Sequence, residues 1–464
     1  MSQNATVSLS KTDAIHWALV VILPIIFGGL TYSLGFDYKI TAFIALTTIG
    51  LACWGFELLP DALVGMALPI LYIVFGVAPA PAVLAPWTGS VGWWIAGGMI
   101  IGVFFMKTGL SRRLALHCIN LVGKSFLQLM FGLLLAGLIL ALFLPSAMAR
   151  AAVLVVLCVG ICDTLEIKKG SREGATIIFS GFIAVAASKI CYMSGGVDVI
   201  MSMKLVSAAL NQPMQWMEYA QHNFIPAVIY SIMSILCVYF VMRPSIKGNM
   251  RDIVRPQLEA LGPMSFEEKK AAVLLVILCA CLLTDKYHGI DAGWLMLLIA
   301  TLAFLPGINL LNGEDFKRVN FPVVVFTVGC MTIGSTAAAC GMDKVASAVI
   351  VPLLSGTEFF TVIMSYVAGA ALNFVLTPLP ATAMLTTTIV DMAQNMGINP
   401  LLLVYPFNYG IDQYLFPYEH AVLVFFYSSG YIKIKQVTQI FGVRMLLTAV
   451  FIAVVAYPYW KFVM

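Results

Sequence analysis

Apolar stretches separated by charged or turn-forming residues run along this 464-residue chain. Thirteen of them lie at residues 15–35, 39–58, 61–79, 92–106, 125–162, 175–203, 223–242, 270–285, 291–306, 320–340, 359–390, 399–430 and 437–462. A helix of about 20 apolar residues crosses the roughly 30 Å hydrocarbon core of a bilayer. Most of the stretches are near that length, so the pattern predicts an all-α protein that crosses the membrane many times.

Two of the stretches are too long for a single straight crossing. The stretch from 125 to 162 carries a single charge, Arg150, and the stretch from 359 to 390 carries none. Pro378 and Pro380 lie within the second stretch, where they interrupt helical hydrogen bonding as the tip of a hairpin requires. We therefore predict two re-entrant helical hairpins, at residues 125–162 and at about 352–390.

Composition excludes a soluble globule, because 61% of the residues are hydrophobic, 10% are charged and the mean hydropathy is +0.97. Lysine and arginine gather in several connecting segments, which we assign to the cytoplasm. This assignment predicts a cytoplasmic N-terminus, eleven spans plus the two hairpins, and an outward C-terminus. The expected location is the plasma membrane, or the inner membrane of a bacterium, with the lipid bilayer as the surroundings.

The sequence shows no motif for binding a transition metal, a nucleic acid or ATP. Most of the ten cysteines lie inside apolar stretches and no CxxC pair occurs, so we expect no transition-metal site and no cofactor. The chain has no basic tail of the kind that binds nucleic acid, so we expect no nucleic-acid partner. The chain also lacks a P-loop motif, which argues against transport driven by ATP within this polypeptide.

One constant offset in residue number relates two parts of the chain. Gly97, Gly102 and Gly109 correspond to Gly329, Gly334 and Gly341 at an offset of 232 (329 − 97). The same offset carries residues 145–152, at the first hairpin tip, onto residues 377–384 at the second. Inverted repeats with a binding site at their interface are typical of secondary transporters. The sequence therefore predicts such a repeat.

Five segments occur in an order that is specific to one protein family. They are Gly97-Gly98, Lys107–Arg113, Pro145–Arg150, Leu261–Lys269 and Ser429–Lys435. Together they resemble the divalent-anion/sodium symporter family, whose members carry di- and tricarboxylates, sulfate and related anions. The resemblance covers most of the chain. It implies an inverted-repeat elevator transporter and a homodimer, with a Ser-Asn-Thr triplet at each hairpin tip and a sodium site beside each tip.

On this basis the chain has six predicted parts. They are a cytoplasmic leader (1–13), N-terminal scaffold helices (14–91), the first inverted repeat (92–243), a cytoplasmic linker (244–269), further scaffold helices (270–319) and the second inverted repeat (320–464). The two repeats contain the two predicted hairpins.

Both tips depart from the family triplet. The first reads Ser146-Ala147-Met148 and the second Pro378-Leu379-Pro380, so only the serine is kept. The residues of the tips that we predict to bind substrate are Ser146, Ala147, Met148, Arg150, Thr377, Pro378, Leu379, Pro380 and Thr382. The hydroxyl groups of Ser146, Thr377 and Thr382 can donate hydrogen bonds to an anion near the positive ends of helices. The alternative is a hydrogen bond back to the preceding turn of the same helix.

Arg150 lies just past the first tip and admits two interpretations. Its guanidinium can bind a substrate carboxylate or sulfonate through two parallel hydrogen bonds. Alternatively, it pairs with a protein acid or caps carbonyl groups of the tip, since an ionisable residue at membrane depth needs a partner.

The loops beside the two tips are the candidate ion sites. Their residues are Ser194, Gly195, Gly196, Asp198, Glu419 and His420. Asp198 and Glu419 can supply oxygen ligands to sodium, or they can titrate together with His420 and couple transport to protons. The alternative is a structural ion pair between Lys189 and Asp198. Sodium or a proton is therefore the candidate coupling ion.

These observations predict a secondary active transporter of small organic anions that is cation-coupled or exchanging and works by an elevator mechanism. The resemblance implies an anion of di- or tricarboxylate type, and a sulfonate is the other candidate. The weakly polar second tip favours an anion with only one charged end. The alternative is an uncoupled anion channel or a membrane sensor on the same scaffold. Because no HExxH or comparable catalytic motif occurs, we do not expect an enzyme.

Overall fold

The computed structural model describes residues 11–56, 58–246, 249–342, 344, 345, 348, 356–374 and 376–464. Residues 1–10 of the predicted leader and residues 352–355 and 375 of the predicted second hairpin lie outside this part. Within it the ordered elements are helices, and no β-strand occurs among the described residues.

Twelve helices lie in the described residues of the first half, which are 11–56 and 58–242. They are α1 (Lys11–Ser33), α2 (Tyr38–Gly55), α3 (Asp61–Val74), α4 (Ala80–Val83), α5 (Ala85–Thr88), α6 (Ser90–Lys107), α7 (Leu110–Val122), α8 (Phe126–Phe143), α9 (Ala147–Thr164), α10 (Arg172–Ala186), α11 (Val197–Leu210) and α12 (Trp216–Met242).

The described helices of the second half follow a short helical linker. They are α13 (Arg251–Glu259), α14 (Phe266–Leu283), α15 (Asp285–His288), α16 (Ala292–Leu302), α17 (Gly313–Phe316), α18 (Phe321–Cys340), α19 (Glu358–Asn373), α20 (Pro378–Asn395), α21 (Leu401–Ile411), α22 (Ala421–Tyr427), α23 (Ile434–Phe451) and α24 (Tyr457–Val463). Single 3-10 turns lie at Ala187–Cys191 and Pro417–Glu419, and a π-helical turn at Ile452–Ala456 joins α23 to α24.

Nine helical segments in the described part of the chain are long and apolar enough to cross a membrane. They are Ala14–Ser33, Tyr38–Gly55, Ser90–Lys107, Phe126–Phe143, Ala147–Thr164, Arg172–Cys191, Trp216–Met242, Phe321–Cys340 and Ile434–Val463. Four shorter apolar helices, α3, α16, α19 and α21, accompany them. The predicted multi-pass helical class is confirmed, whereas the count of eleven spans and two re-entrant hairpins stays a prediction.

α8 and α9 form a helical hairpin where the first was predicted. A capping box starts α8, because the Ser125 hydroxyl accepts the Gln128 N–H and the Gln128 side chain accepts the Ser125 N–H. The chain turns at residues 144–146, and the Ser146 hydroxyl caps α9 by accepting the Ala149 N–H at 3.2 Å. Pro145 packs so closely on Gly98 of α6 that an added Cβ there would lie 2.5 Å from the proline ring.

α19 and α20 form a second hairpin. Thr357 caps α19 by accepting the Phe360 N–H at 3.3 Å, and Pro378 is the first residue of α20, where its missing N–H breaks no helical bond. The starts of α19 and α8 differ by 232 in residue number (358 − 126), and those of α20 and α9 differ by 231 (378 − 147). A difference of one position is within the uncertainty of helix ends.

Each hairpin packs against a helix that is interrupted near the tip. α10 passes through a 3-10 turn and a short extended segment before α11 begins, and α21 is likewise followed by a loop and a 3-10 turn before α22. The hairpins approach these helices closely at Gly137 and Gly369, where an added Cβ would collide with the carbonyl oxygens of Ala184 and Phe407. Small residues permit such close approach in membrane proteins. Hairpin and interrupted helix therefore form one packed unit in each half.

Candidate functional site

Both hairpin tips and both helix interruptions face one cavity of about 490 Å³. The tips contribute Pro145, Ser146, Ala147, Met148, Ala149, Thr377, Pro378 and Leu379. The interrupted helices contribute Lys189, Gly196, Val197, Asp198, Glu419, His420, Ala421 and Val422. Segments from the two halves of the chain thus meet at a single volume large enough for a small organic ligand.

Most of the residues predicted from the sequence line this cavity, but five do not. Arg150, Pro380, Thr382, Ser194 and Gly195 lie behind the wall. The Thr382 hydroxyl donates to the carbonyl oxygen of Pro378 at 2.8 Å, which is the back-bonding alternative given above. Ser194 donates to the Leu142 carbonyl at 3.0 Å and accepts the Trp216 indole N–H at 3.1 Å, so it ties the interruption to α8 and α12.

The two tips differ in the hydrogen-bond donors they offer. The first N–H groups of a helix have no partner within that helix and point outward from its positive end. At the first tip these groups belong to Ser146, Ala147, Met148 and Ala149, and Ser146 itself occupies the last of them. At the second tip Pro378 and Pro380 have no N–H to offer. The first tip is therefore the better anion-binding end of the cavity.

The Arg150 guanidinium lies among backbone carbonyl groups. The side chain is fully buried, and its Nη1 atom donates to the carbonyl oxygens of Leu144 and Gly195, each at 2.5 Å. The Nη2 atom donates to the Val185 carbonyl at 3.1 Å. These carbonyls belong to the hairpin tip, the loop of the first interruption and the end of α10. Of the two interpretations of Arg150, the geometry corresponds to capping, and the group does not line the cavity.

A chain of alternating charges joins the two interrupted helices. The Lys189 ammonium lies 2.6 Å from Asp198 Oδ2 and 3.3 Å from Asp412 Oδ1. On its other side, Asp412 Oδ2 lies 2.5 Å from the Arg444 guanidinium and accepts the Tyr230 hydroxyl at 2.8 Å. Lys189, Asp412 and Arg444 are buried, while Asp198 borders the cavity. The predicted alternative of a Lys189–Asp198 ion pair is present, as part of a larger network.

Glu419 and His420 lie together at the second interruption. Both carboxylate oxygens of Glu419 accept backbone N–H groups, from Leu415 at 2.9 Å and from Phe416 at 3.1 Å, so this buried side chain closes its own turn. The His420 ring lies 4.9 Å from the Tyr414 ring, measured between centroids, and its Nδ1 atom has no hydrogen-bond partner among the described residues. His420 is therefore the group here with unused hydrogen-bonding capacity.

The sequence pattern predicts neither Lys189 in the substrate cavity nor a role for Arg444. A usable signal existed for Arg444, because it is a charged residue within the apolar stretch 437–462, as Arg150 is within the stretch 125–162. Asp61 and Asn320 also line the cavity, from the start of α3 and the residue before α18. No local pattern indicated these two.

Residues 11–464 match the family model for the sodium:sulfate symporter transmembrane region. The chain belongs to this family. The family predicted from the five segments is thereby confirmed. The chain is also similar to the sodium-dependent dicarboxylate transporter SdcS of Staphylococcus aureus, at 21% identity over 89% of this chain and 85% of that protein.

Two further relatives match over part of their length. They are the chloroplastic dicarboxylate transporter 1 of Spinacia oleracea, at 23% identity over 58% of this chain and 48% of that protein, and a membrane protein of Cupriavidus necator, at 24% identity over 51% and 47%. The chain thus spans about half the length of these curated relatives. The crystal structure of the Alcanivorax borkumensis YdaH transporter superposes with a TM-score of 0.55 at 14% identity, covering 82% of this chain and 87% of that one, which supports the fold alone.

Proposed function

We propose that this chain is a secondary carrier that moves a small organic anion across the membrane by an elevator motion of the two hairpins and their interrupted helices. The observation that carries the proposal is the single cavity between both tips and both interruptions. The first turn of α9, the Lys189 ammonium and apolar side chains line this cavity, and together they suit an organic anion.

A repeat in residue number supports the elevator part of the proposal, and we propose that its two copies are inverted in the membrane. The offset of 232 seen in the glycine pattern recurs, within one position, in the starts of the hairpin helices. It also relates Gly137 to Gly369 (369 − 137), and each packs its hairpin onto an interrupted helix. Matching units of this kind can move as rigid bodies around a fixed site, as alternating access requires. The homodimer, the cytoplasmic N-terminus and the plasma-membrane location belong to the same proposal.

The substrate that we propose is a carboxylate or sulfonate with its charge at the first tip. N–H donors are concentrated there, and Pro378 and Leu379 make the opposite wall apolar. Relatives named as dicarboxylate transporters favour carboxylates within this class. Sulfonates are included in the proposed class because the three oxygen atoms of a sulfonate can accept hydrogen bonds from the same N–H groups.

We propose that the first half of the molecule lacks one of the sodium sites through which transport would be coupled. Coupling sodium ions in transporters bind to carbonyl groups at unwound helix ends. Here the carbonyls of Leu144, Val185 and Gly195 are used by the Arg150 guanidinium, which brings its own positive charge. We therefore propose that no sodium ion binds among these three carbonyls. A sodium ion or proton coupled through Glu419 and His420 in the second half remains part of the proposal.

Counterflow in liposomes tests the carrier assignment. Purified protein is reconstituted into vesicles loaded with unlabelled succinate, lactate or isethionate, and entry of the labelled compound is followed. A carrier accumulates label transiently by exchange, whereas a channel only lets the label equilibrate with its gradient. Replacing sodium with choline, and separately collapsing the proton gradient, identifies the coupling ion.

A second test compares a negative charge placed in the cavity with the same change placed outside it, which is the matched control. Met148 lines the cavity and is 45% exposed, so Met148→Glu puts a negative charge where the anion binds and abolishes counterflow. Met264→Glu makes the same change at a 37% exposed position in the linker between α13 and α14, and should retain it. Equal loss in both variants, or channel-like entry in the unmodified protein, would refute the proposal.

A further inference from the structure

We infer that Asp198 is a built-in carboxylate that pairs with Lys189 in the empty carrier and gives up this position to a carboxylate of the transported anion. The inference deepens the proposed function and rests on it. It assigns Lys189 as an anion contact and explains why an acidic side chain borders an anion site.

Lys189 is the cavity cation best placed for an anion. It lies in the 3-10 turn of the first interruption, is 3% exposed and borders the cavity. Arg318 also borders the cavity, but its side chain is 72% exposed and lies 4.0 Å from Asp315. A buried ammonium interacts with an anion more strongly than an exposed one, because less water screens it. Lys189 is therefore the stronger contact.

The two carboxylates on Lys189 are held very differently. Asp412 is fully buried and is bound by Arg444 at 2.5 Å, by the Tyr230 hydroxyl at 2.8 Å and by the Tyr414 hydroxyl at 3.1 Å. The Asp198 side chain is 17% exposed, and Lys189 is its one salt-bridge partner within 4.0 Å among the described residues. Asp198 is therefore the partner that can leave when another carboxylate enters the cavity.

The backbone leaves room for this exchange. Gly196 precedes α11 and borders the ion pair, and an added Cβ there would lie 2.6 Å from Asp198 Oδ1 and 3.2 Å from Lys189 Cδ. Asp198 is the second residue of α11, so its side chain can turn about the helix end without moving the helix. His420, which also borders the cavity and whose Nδ1 atom has no hydrogen-bond partner among the described residues, can receive the displaced carboxylate.

The network is neutral only when Asp198 takes part. Lys189 and Arg444 carry two positive charges, and Asp198 and Asp412 carry two negative charges. Without Asp198 this network would carry one positive charge in excess, in addition to the buried Arg150 guanidinium. Moving a further uncompensated buried charge across the membrane is costly. A bound anion would remove that cost. The pair therefore lets the empty carrier return, and its loss should leave a carrier that exchanges anions but returns poorly when empty.

Asp198→Asn tests the inference, with Glu358→Gln as the matched control. Glu358 pairs with Lys461 at 2.9 Å, away from the cavity. Both variants are reconstituted, and labelled succinate, lactate and isethionate are followed in two modes: net uptake into empty vesicles and exchange in preloaded vesicles. For Asp198→Asn we expect net uptake to fall at least about tenfold, exchange to stay within about threefold of wild type, and the anion to bind more tightly. Glu358→Gln should keep the wild-type ratio of the two modes.

Three other results are decisive. A purely structural ion pair would lower both modes of Asp198→Asn together and weaken anion binding, which would overturn the inference. The double variant Lys189→Gln/Asp198→Asn is neutral at this pair and should lose the thermal stabilisation that the anion gives to wild type; retained stabilisation would exclude Lys189 as the contact. If the wild-type protein performs neither mode with any of the three anions, the proposed function fails and the inference fails with it.

Discussion

Replacing Arg150 with methionine removes the guanidinium but keeps an unbranched apolar side chain of similar length. In the wild-type protein this group joins the first tip, the first interruption and the end of α10 through three hydrogen bonds to carbonyl oxygens. Hydrogen bonds from a charged donor contribute about 1.5–3 kcal/mol each, and removing one partner of a buried charged contact costs about 3–5 kcal/mol. We expect a local loss in that range, because the three carbonyl oxygens lose the guanidinium that donates to them.

Hydrogen–deuterium exchange measures this loss where it should occur. A cost of about 3–5 kcal/mol multiplies the population of a locally opened tip by about 10² to 5 × 10³. Peptides that cover residues 140–150 and 185–197 should therefore exchange far faster in Arg150→Met, and transport should fall with them. Arg255→Met is the control, since Arg255 forms an exposed pair with Glu259 and its side chain is 70% exposed. Exchange at the first tip within about threefold of wild type would refute the capping role.

Sodium distinguishes a capping guanidinium from one that only packs. In Arg150→Ala the three carbonyls are vacated and can bind a small cation, so sodium chloride should raise the thermal stability of this variant more than choline chloride does. In the wild-type protein these carbonyls are already occupied by the guanidinium. Sodium bound among them should therefore add nothing to its thermal stability. An equal sodium effect in both proteins would contradict the prediction.

Three further substitutions test other parts of the cavity. Gly196→Ala places a methyl group 2.6 Å from Asp198 Oδ1, so we expect strain of about 1–3 kcal/mol and a transport rate at least tenfold lower in counterflow. Leu379→Asn adds a donor to the apolar tip and should raise the affinity for succinate about threefold to tenfold relative to lactate, measured by competition for uptake. Thr382→Val removes a hydroxyl that bonds only to its own helix among the described residues, so uptake should stay within about threefold of wild type.

Local patterns in the sequence account for the helices of the two hairpins, whereas their re-entrant placement in the membrane stays a prediction. An apolar stretch that runs from residue 125 to residue 162 is too long to be one crossing, and Ser125 and Ser146 supply the caps that start the two helices of the first hairpin. Pro378 marks the first turn of α20 for an equally local reason. Such features depend on residues within a few positions of each other, so a single sequence is enough to find them.

The charge network could not be predicted in the same way. Lys189 and Asp412 belong to different halves of the chain, and their contact depends on how the two halves pack. Arg150 was ambiguous for a related reason, since a guanidinium serves a substrate or a set of carbonyls equally well. What decides between them is that the carbonyls of Leu144, Val185 and Gly195 converge in space. Periodicity carries no information about such convergence.

The two halves of the molecule have kept one backbone plan while their tips have taken up different chemistry. At the first tip Arg150 supplies a fixed positive charge behind the wall, and Ser146 and Met148 leave N–H groups toward the cavity. At the second tip two prolines remove donors, and Thr382, the counterpart of Arg150 at the offset of the repeat (382 − 150), carries no charge. In the proposed function, an anion therefore gains most of its electrostatic stabilisation from the first half. The second half contributes shape, and Glu419 and His420 leave it the more suitable half for a mobile coupling ion.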